Sequence, residues 1–171
     1  MLVSIQGEMT SPLLDQRLAM TNFQSRMYNC ARRFALKTKI NPQNFTKTVG
    51  AYSQGLKVDV GDKVMVFLSG QLAMDADGNA IAPNDISAQT KYIFENIKTI
   101  LGEAGATLED IVKVQIFMTD ITKFSEFTSV RNEYLAEIKP VSTLLEISRT
   151  VKDGCDIEIE VIAIMDNKES I

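Results

Sequence analysis

The sequence contains no histidine. That absence excludes a Ser-His-Asp triad, a Cys-His pair, a histidine-dependent ribonuclease and any zinc site that needs imidazole. Acid–base work is left to carboxylates, tyrosine, lysine, cysteine or water. Cysteine is scarce as well. Cys30 and Cys155 stand far apart, in no CxxC spacing, and offer neither a disulfide framework nor a thiolate metal site. No apolar run approaches the roughly 20 residues of a membrane-spanning helix. A basic balance is missing too. The formal net charge is −4 and the pI about 4.9, which argues against general nucleic-acid binding. The 171 residues, 45% of them hydrophobic, suit one globular domain with an added arm.

Acidic residues are absent from Met20 to Val58, where Arg26, Arg32, Arg33, Lys37, Lys39, Lys47 and Lys57 all fall. Phe23, Met27, Cys30 and Phe34 recur at helical spacing, with Arg26, Arg33 and Lys37 elsewhere on the wheel. Amphipathic, Arg-rich and acid-poor describes an organelle transit peptide. Residues 1–39 are therefore read as a basic N-terminal extension of that kind, and residues 40–171 as the folded body. Glu8 and Asp15 precede the basic stretch and suit the alternative, a frayed or partner-docked chain end. The two readings imply a mitochondrial or a cytoplasmic location. The arm's interleaved Phe23, Tyr28 and Phe34 also raise RNA, but no wider basic face accompanies them.

The body reads as β-β-α-β-α-β-β, an α/β (α+β) pattern. Leu56–Val60 and Lys63–Leu68 flank Gly61-Asp62 as strands, and residues 75–79 form a turn. A helix runs from the N-cap Asp85 to a stop at Gly105, with Ile86, Ile93, Ile97, Ile100 and Leu101 as its apolar stripe. The next strand, Ile111–Met118, turns Val112, Val114, Ile116 and Met118 one way. A second helix spans about Thr122–Ile138 with Phe124, Phe127, Val130, Tyr134 and Ile138 inward, and Pro140 ends it. Two last strands follow, 140–147 and 156–164, joined by Lys152-Asp153-Gly154 in the manner of a hairpin.

The last strand alternates strictly. Ile157, Ile159, Val161, Ala163 and Met165 point one way, and Glu158, Glu160, Ile162 and Ile164 the other. Two carboxylates thus head an otherwise apolar face. Both crossovers hold a helix, so a mixed sheet with both helices on one face is expected. The opposite face carries Met65, Phe67, Ile111, Phe117, Ile162 and Ile164, too much apolar surface for a monomer, and self-association follows.

The body resembles the Rid family of reactive-intermediate imine deaminases, also called YjgF-like proteins and, in older naming, endoribonuclease L-PSP or translation inhibitors. The resemblance runs from about Ile40 to Met165. It rests on residues 50–54 (Gly-Ala-Tyr-Ser-Gln), 66–71 (Val-Phe-Leu-Ser-Gly-Gln), 94–98 (Phe-Glu-Asn-Ile-Lys), 111–114 with Phe117 and Asp120, and 157–163 (Ile-Glu-Ile-Glu-Val-Ile-Ala). It implies a chorismate-mutase-like homotrimer with a central barrel and three clefts between subunits. It also implies hydrolysis of 2-iminobutanoate and 2-iminopropanoate without cofactor or metal. Some eukaryotic members are mitochondrial and carry presequences.

Matched position by position, the resemblance implies that Tyr52 corresponds to the family's cleft-closing tyrosine, Gly70 to its turn glycine and Glu158 to the glutamate that holds the attacking water. Where the family reads Pro-Ala-Arg-Ser-Cys-Val-Glu-Val, this chain reads Pro140-Val141-Ser142-Thr143-Leu144-Leu145-Glu146-Ile147. The carboxylate-gripping Arg is therefore Ser142, and the Cys is Leu144, whose backbone N–H and C=O remain. Thr128 stands where members have Asn. Ser142 with Thr143 is read either as a hydroxyl-lined pocket or as ordinary strand residues. Losing the clamp costs roughly 1.5–3 kcal/mol per charged bond, about tenfold in rate for each 1.36 kcal/mol. Lys57 or an Arg of the arm is expected to compensate if anything does. Arg149, seven residues from Ser142, faces the wrong way. Glu158, left without a cation, is expected to have a raised pKa through desolvation. Cys155 is expected to be inert and Glu160 structural. The reading is an enamine/imine deaminase with an altered cleft, acting on these 2-imino acids with reduced activity or on a related imine without a carboxylate; the alternative is a non-catalytic trimer that binds a small metabolite or a protein.

Overall fold

The computed structural model describes residues 36–43, 45–48 and 50–168. Most of the basic arm, residues 1–35, lies outside them. The described residues form a seven-stranded sheet and two α-helices. In chain order these are β1 Lys37–Ile40, β2 Gly55–Asp59, β3 Lys63–Leu68, β4 Gln71–Leu72, α1 Ile86–Ala104, β5 Ile111–Met118, α2 Phe124–Leu135, β6 Val141–Glu146 and β7 Ile157–Asp166. The sheet order is β1-β2-β3-β7-β5-β6, with β4 on the same edge of β7 as β3. Only β5 and β6 run parallel, as a strand-helix-strand crossover requires.

The expected layers are present. The α1 stripe Ile86, Ile93, Ile97, Ile100 and Leu101 is fully buried. It packs with Phe127 and Leu135 of α2 on Val64, Val66, Val114, Ile116, Met118, Ile157, Ile159, Val161 and Ala163. The side chain of Asp85 accepts the Ala88 N–H at 2.9 Å, and Gly105 ends α1 in the left-handed conformation at φ 84°. The helices are clamped to each other by a Phe94–Tyr134 ring stack, 4.7 Å between centroids. Tyr134 Oη also donates to Glu95 Oε1 at 2.9 Å. Burial and that carboxylate push the Tyr134 phenol up to about 12.

Four details differ from the sequence reading. Strands β6 and β7 do not form a hairpin, because β5 lies between them, parallel to one and antiparallel to the other. Gly154 does take a positive φ, 84°, but the loop it turns is a crossover. A bulge at Val112 leaves two β5 residues against one of β7. It swaps the faces of the strand's start, so Ile111 is buried and Val112 is exposed. Helix α2 is preceded by a 3-10 turn, Ile121–Lys123, which the Asp120 side chain caps at Thr122 N. Its fully inward positions are Phe127 and Leu135, about two turns apart; Tyr134, and Ile138 beyond its end, pack half-buried against the core as expected, while Phe124 is 46% exposed. Finally β1 begins at Lys37, inside the stretch read as arm. Only Ile40 of its four residues is buried, so no apolar alternation announces it.

One fully buried polar side chain ties the crossover loop to the core. Gln89 donates to Ala82 O at 3.1 Å and Gly154 O at 2.8 Å, and its Oε1 accepts the Asp156 N–H at 2.8 Å. Asp156 Oδ2 accepts from the same amide and from Asn84 N. This cluster fixes where β7 begins. Replacement Gln89→Leu leaves Ala82 O, Gly154 O and the Asp156 N–H half-buried without this partner, and is expected to lower stability by about 1–3 kcal/mol in urea unfolding. A loss smaller than that of an exposed helix substitution would remove the clamp from the account.

Candidate functional site

Side chains alternate along β7, so burying Ile157, Ile159, Val161 and Ala163 under the helices turns Glu158 and Glu160 to the uncovered face. Glu158 pairs with Leu72 on one side and Phe117 on the other. The β3–β4 edge is interrupted beside it. Leu68, Ser69 and Gly70 stand between the pairs Phe67–Ile162 and Gln71–Ile159, against only Glu160 and Val161 of β7. One extra residue makes a bulge, and bulges open strand edges at sites. Gly70 occupies it for a steric reason. A Cβ there would lie 2.9 Å from Glu158 Cγ and 2.7 Å from its Cδ, so any other residue displaces the carboxylate.

Above this pair lies a cleft of about 500 Å³ that Tyr52, Gly70 and Glu158 line together. Its floor is a hydrogen-bonded amide pair. Gln71 Nε2 donates to Gln54 Oε1 at 3.1 Å and to Ser69 O at 3.0 Å, while Gln54 Nε2 donates to Thr46 O at 3.3 Å. Ser69 Oγ donates to Ser53 O at 2.7 Å, which pins the turn carrying Tyr52 to the one carrying Gly70. Tyr52 itself is half exposed and stands at the mouth. Phe45, Tyr92 and Val151 supply apolar wall.

Burial, and then the charge of Glu160, raise the Glu158 carboxyl above its ordinary 4.5. Among the described residues no cation offsets them. Lys47 and Lys152 line the cleft, yet neither contributes to the Glu158 shift. Lys57, expected as a substitute cation, pairs with Val66 on the helix-covered side and does not line the cleft. Arg149 lies in the β6–β7 loop. Among the described residues no group of three or more Cys, Asp or Glu converges where a metal ion could sit. Cys155 is buried, and burial pushes its thiol up; its Sγ donates to Ala73 O.

The β6 residues expected in the site do not join this cleft. Ser142 pairs with Val114 and Leu144 with Ile116, both on the helix side of the sheet. Thr143 shares the face of Glu158 but pairs with Gln115, whose other neighbour is Glu160. Thr128 lies on α2, where its hydroxyl donates to Ser125 O. In one chain, then, Tyr52, Gly70 and Glu158 are brought together, and Ser142, Thr143, Leu144 and Thr128 are not. Position-by-position reading missed the Gln54–Gln71 floor. Two glutamines among strand and turn residues were the available signal, since a buried amide needs partners.

A sequence profile described as Endoribonuclease L-PSP matches residues 42–165. The chain belongs to that family. The chain is 42% identical over 127 residues to a RutC family protein of Pyrococcus abyssi, covering 74% of this chain and 96% of the relative. It is 36% identical over 128 residues to the 2-iminobutanoate/2-iminopropanoate deaminase of Salmonella typhimurium, covering 73% and 95%. Mmf1 of Saccharomyces cerevisiae, named as mitochondrial, is 31% identical over 132 residues, covering 77% and 84%. The crystal structure of yeast Mmf1 superposes with a TM-score of 0.67 at 29% identity, covering 75% of this chain and 98% of that one. The Rid relationship and the fold class expected from the motifs are borne out.

The sign of the Glu158 shift can be measured. Burial disfavours the anion, so this group's contribution to stability is full below its ordinary 4.5 and is lost as pH rises through the higher folded value. A carboxyl NMR titration should place Glu158 above 4.5, and Glu160→Gln should lower it without restoring 4.5, since burial is the larger cause. A wild-type midpoint at or below 4.5 would contradict a half-buried carboxylate whose shift no lysine of the cleft offsets.

Proposed function

We propose that this chain is a Rid-type imine hydrolase that works as a homotrimer on small 2-imino acids such as 2-iminobutanoate and 2-iminopropanoate. The observation that supports it is the Glu158 carboxylate seated against Gly70 in a cleft shared with Tyr52, its proton affinity raised by burial. A carboxylate of raised pKa is a stronger base than one in water, and general bases of this kind contribute about 10²–10⁴-fold. Glu158 takes a proton from water as the oxygen bonds to the imine carbon. The C=N electron pair moves to nitrogen, which takes that proton from Glu158, giving a carbinolamine and freeing the carboxylate. In the collapse the carbinol O–H gives its proton to Glu158 as C=O forms and the C–N bond breaks, and Glu158 passes it to the departing nitrogen, which leaves as ammonia. The balance is imine plus water to 2-oxo acid plus ammonia, with no cofactor or metal in any step. Tyr52 closes the mouth, and backbone groups at Gly70 and Leu144 hold the polar ends.

Oligomerisation belongs to the same reading. Met65, Phe67, Ile162 and Ile164 form cross-strand pairs on the uncovered face. Facing three such sheets inward buries them and brings β6 of one copy towards the cleft of the next, where Ser142, Thr143, Leu144 and Thr128 would meet Glu158. The arm fits a transit peptide, and Mmf1's name supports a mitochondrial location over a cytoplasmic one. No helix among the described residues is long and apolar enough to cross a membrane.

Ser142 in place of the family's Arg favours a second reading, a non-catalytic trimer that binds a metabolite or a protein. One assay decides between them. With 2-iminobutanoate generated in situ by a threonine dehydratase, the protein should accelerate decay, and Glu158→Gln should lower turnover at least about 100-fold. No acceleration by the wild type leaves the scaffold reading. Independently, light scattering should give three times the 19.0 kDa chain mass at micromolar concentration, and a monomer there rules out the shared cleft.

A further inference from the structure

Ser142 lines a second depression, of about 400 Å³, between the last turns of α2 and the start of β6. Its other walls include Val114, Arg131, Leu135, Lys139 and Pro140. Among the described residues two cations and no carboxylate line it. The Arg131 guanidinium packs over the Phe127 ring, 5.5 Å from the centroid. Its Nε and Nη2 donate to Asn132 Oδ1 at 3.2 and 2.9 Å. That partner is neutral. The ion pairs among the described residues, Lys63–Asp166 and Lys98–Glu95, lie elsewhere. Among the described residues Arg131 therefore meets no carboxylate, and it keeps unused N–H donors, Nη1 among them. Lys139 closes α2, its N–H on Leu135 O at 3.0 Å, in a left-handed conformation with φ 50°. Glycine would take that conformation without strain, yet a cation is held there, directly before Pro140.

We propose that Arg131, with Lys139 behind it, is the carboxylate anchor of this chain's active site, supplying from α2 the charge that position 142 lacks. The proposal rests on the imine-hydrolase reading and names the residue that holds its substrate. A guanidinium recognises a carboxylate with two parallel N–H bonds, and its flat face here is already oriented by Phe127. Serine at 142 is part of the arrangement. An Arg there would fill the depression and repel Arg131, whereas the small hydroxyl leaves it open and offers one more donor. The ligand class is a small monocarboxylate. Within one chain the anchor and Glu158 line different hollows. The substrate is therefore held between copies, its carboxylate on Arg131 of one and its imine carbon at Glu158 of the next.

Kinetics on the full chain test this. Arg131→Gln should raise the KM for 2-iminobutanoate by about 10- to 100-fold with kcat nearly unchanged, and should leave an imine without a carboxylate unaffected. Lys139→Gln should raise KM less. Adding Ser142→Arg to Arg131→Gln should restore KM, which a merely structural role for Arg131 would not allow. Co-refolding equal amounts of Glu158→Gln and Arg131→Gln should regenerate intact sites at about a quarter of the clefts of a ring, visible at low substrate. Unchanged KM in a folded, active Arg131→Gln overturns the anchor and leaves the hydrolase reading standing. If the wild type hydrolyses no imine, that reading fails, and the anchor is judged by NMR binding of 2-oxobutanoate. Binding lost in Arg131→Gln supports it, while equal binding, or none by the wild type, overturns it.

Discussion

A sheet roofed by helices on one side leaves every second residue of its strands to be covered by something else. That constraint organises this molecule. On β7 the helix-side set is wholly apolar, and the uncovered set changes character along the strand, from Glu158 and Glu160 to Ile162 and Ile164. The apolar half gains about 1.5–3 kcal/mol per large side chain once covered. The acidic half would lose by the same burial unless a space is left for water or ligand. The Gly70 bulge lies where the two halves meet, and the cleft opens there. Packing and chemistry therefore divide one strand between them.

Within the cleft the balance of effects on Glu158 is one-sided. Burial and the neighbouring Glu160 both favour the neutral acid, and no lysine among the described residues counteracts them. In a purely structural site such a carboxylate would be a net cost. At a site that must take a proton from water and return it to nitrogen, a carboxylate whose affinity for the proton is raised is suited to both steps. The Gln54–Gln71 floor complements it. The amides are satisfied by each other and by Ser69 and Thr46, so they shape the space without competing for the carboxylate.

The sequence exposed much of this because periodicity is a strong signal where one face is dry. The α1 stripe from Ile86 to Leu101, its two caps and the β7 alternation could all be read directly. The errors fell where the signal is weak. Strand β1 buries one residue in four, so it merged into the basic arm. The Val112 bulge inverted the faces of Ile111 and Val112, since one inserted residue reverses a period of two. The supposed hairpin failed because a short loop between strands says nothing of which strand lies between them. Among site residues, Tyr52, Gly70 and Glu158 could be matched from motifs and do share a cleft. The close approach of Glu158 to Gly70, which a Cβ would push away, is long-range, across 88 positions of chain, and no local pattern carries it.

The placement of Ser142 bears on why association and chemistry would go together on the proposed reading. Strand β6 lies two strands from β7, about 10 Å across the sheet, and Ser142 faces the helices while Glu158 faces away. No small imino acid can touch both through a packed sheet. A two-fold contact pairs a surface with itself, so it would set β6 against β6. A rotation that sets the β6–α2 edge of each copy against the cleft of the next is heterologous, and it closes when the steps make a ring. The uncovered faces then meet at the centre, where their apolar halves are hidden. One geometric operation thereby removes the exposed surface of Met65, Phe67, Ile162 and Ile164 and brings a cation to an isolated carboxylate's substrate. On that reading, a change that loosens the ring would weaken substrate holding before it touched the fold of any one chain, because the anchor and the base are joined only through the neighbour.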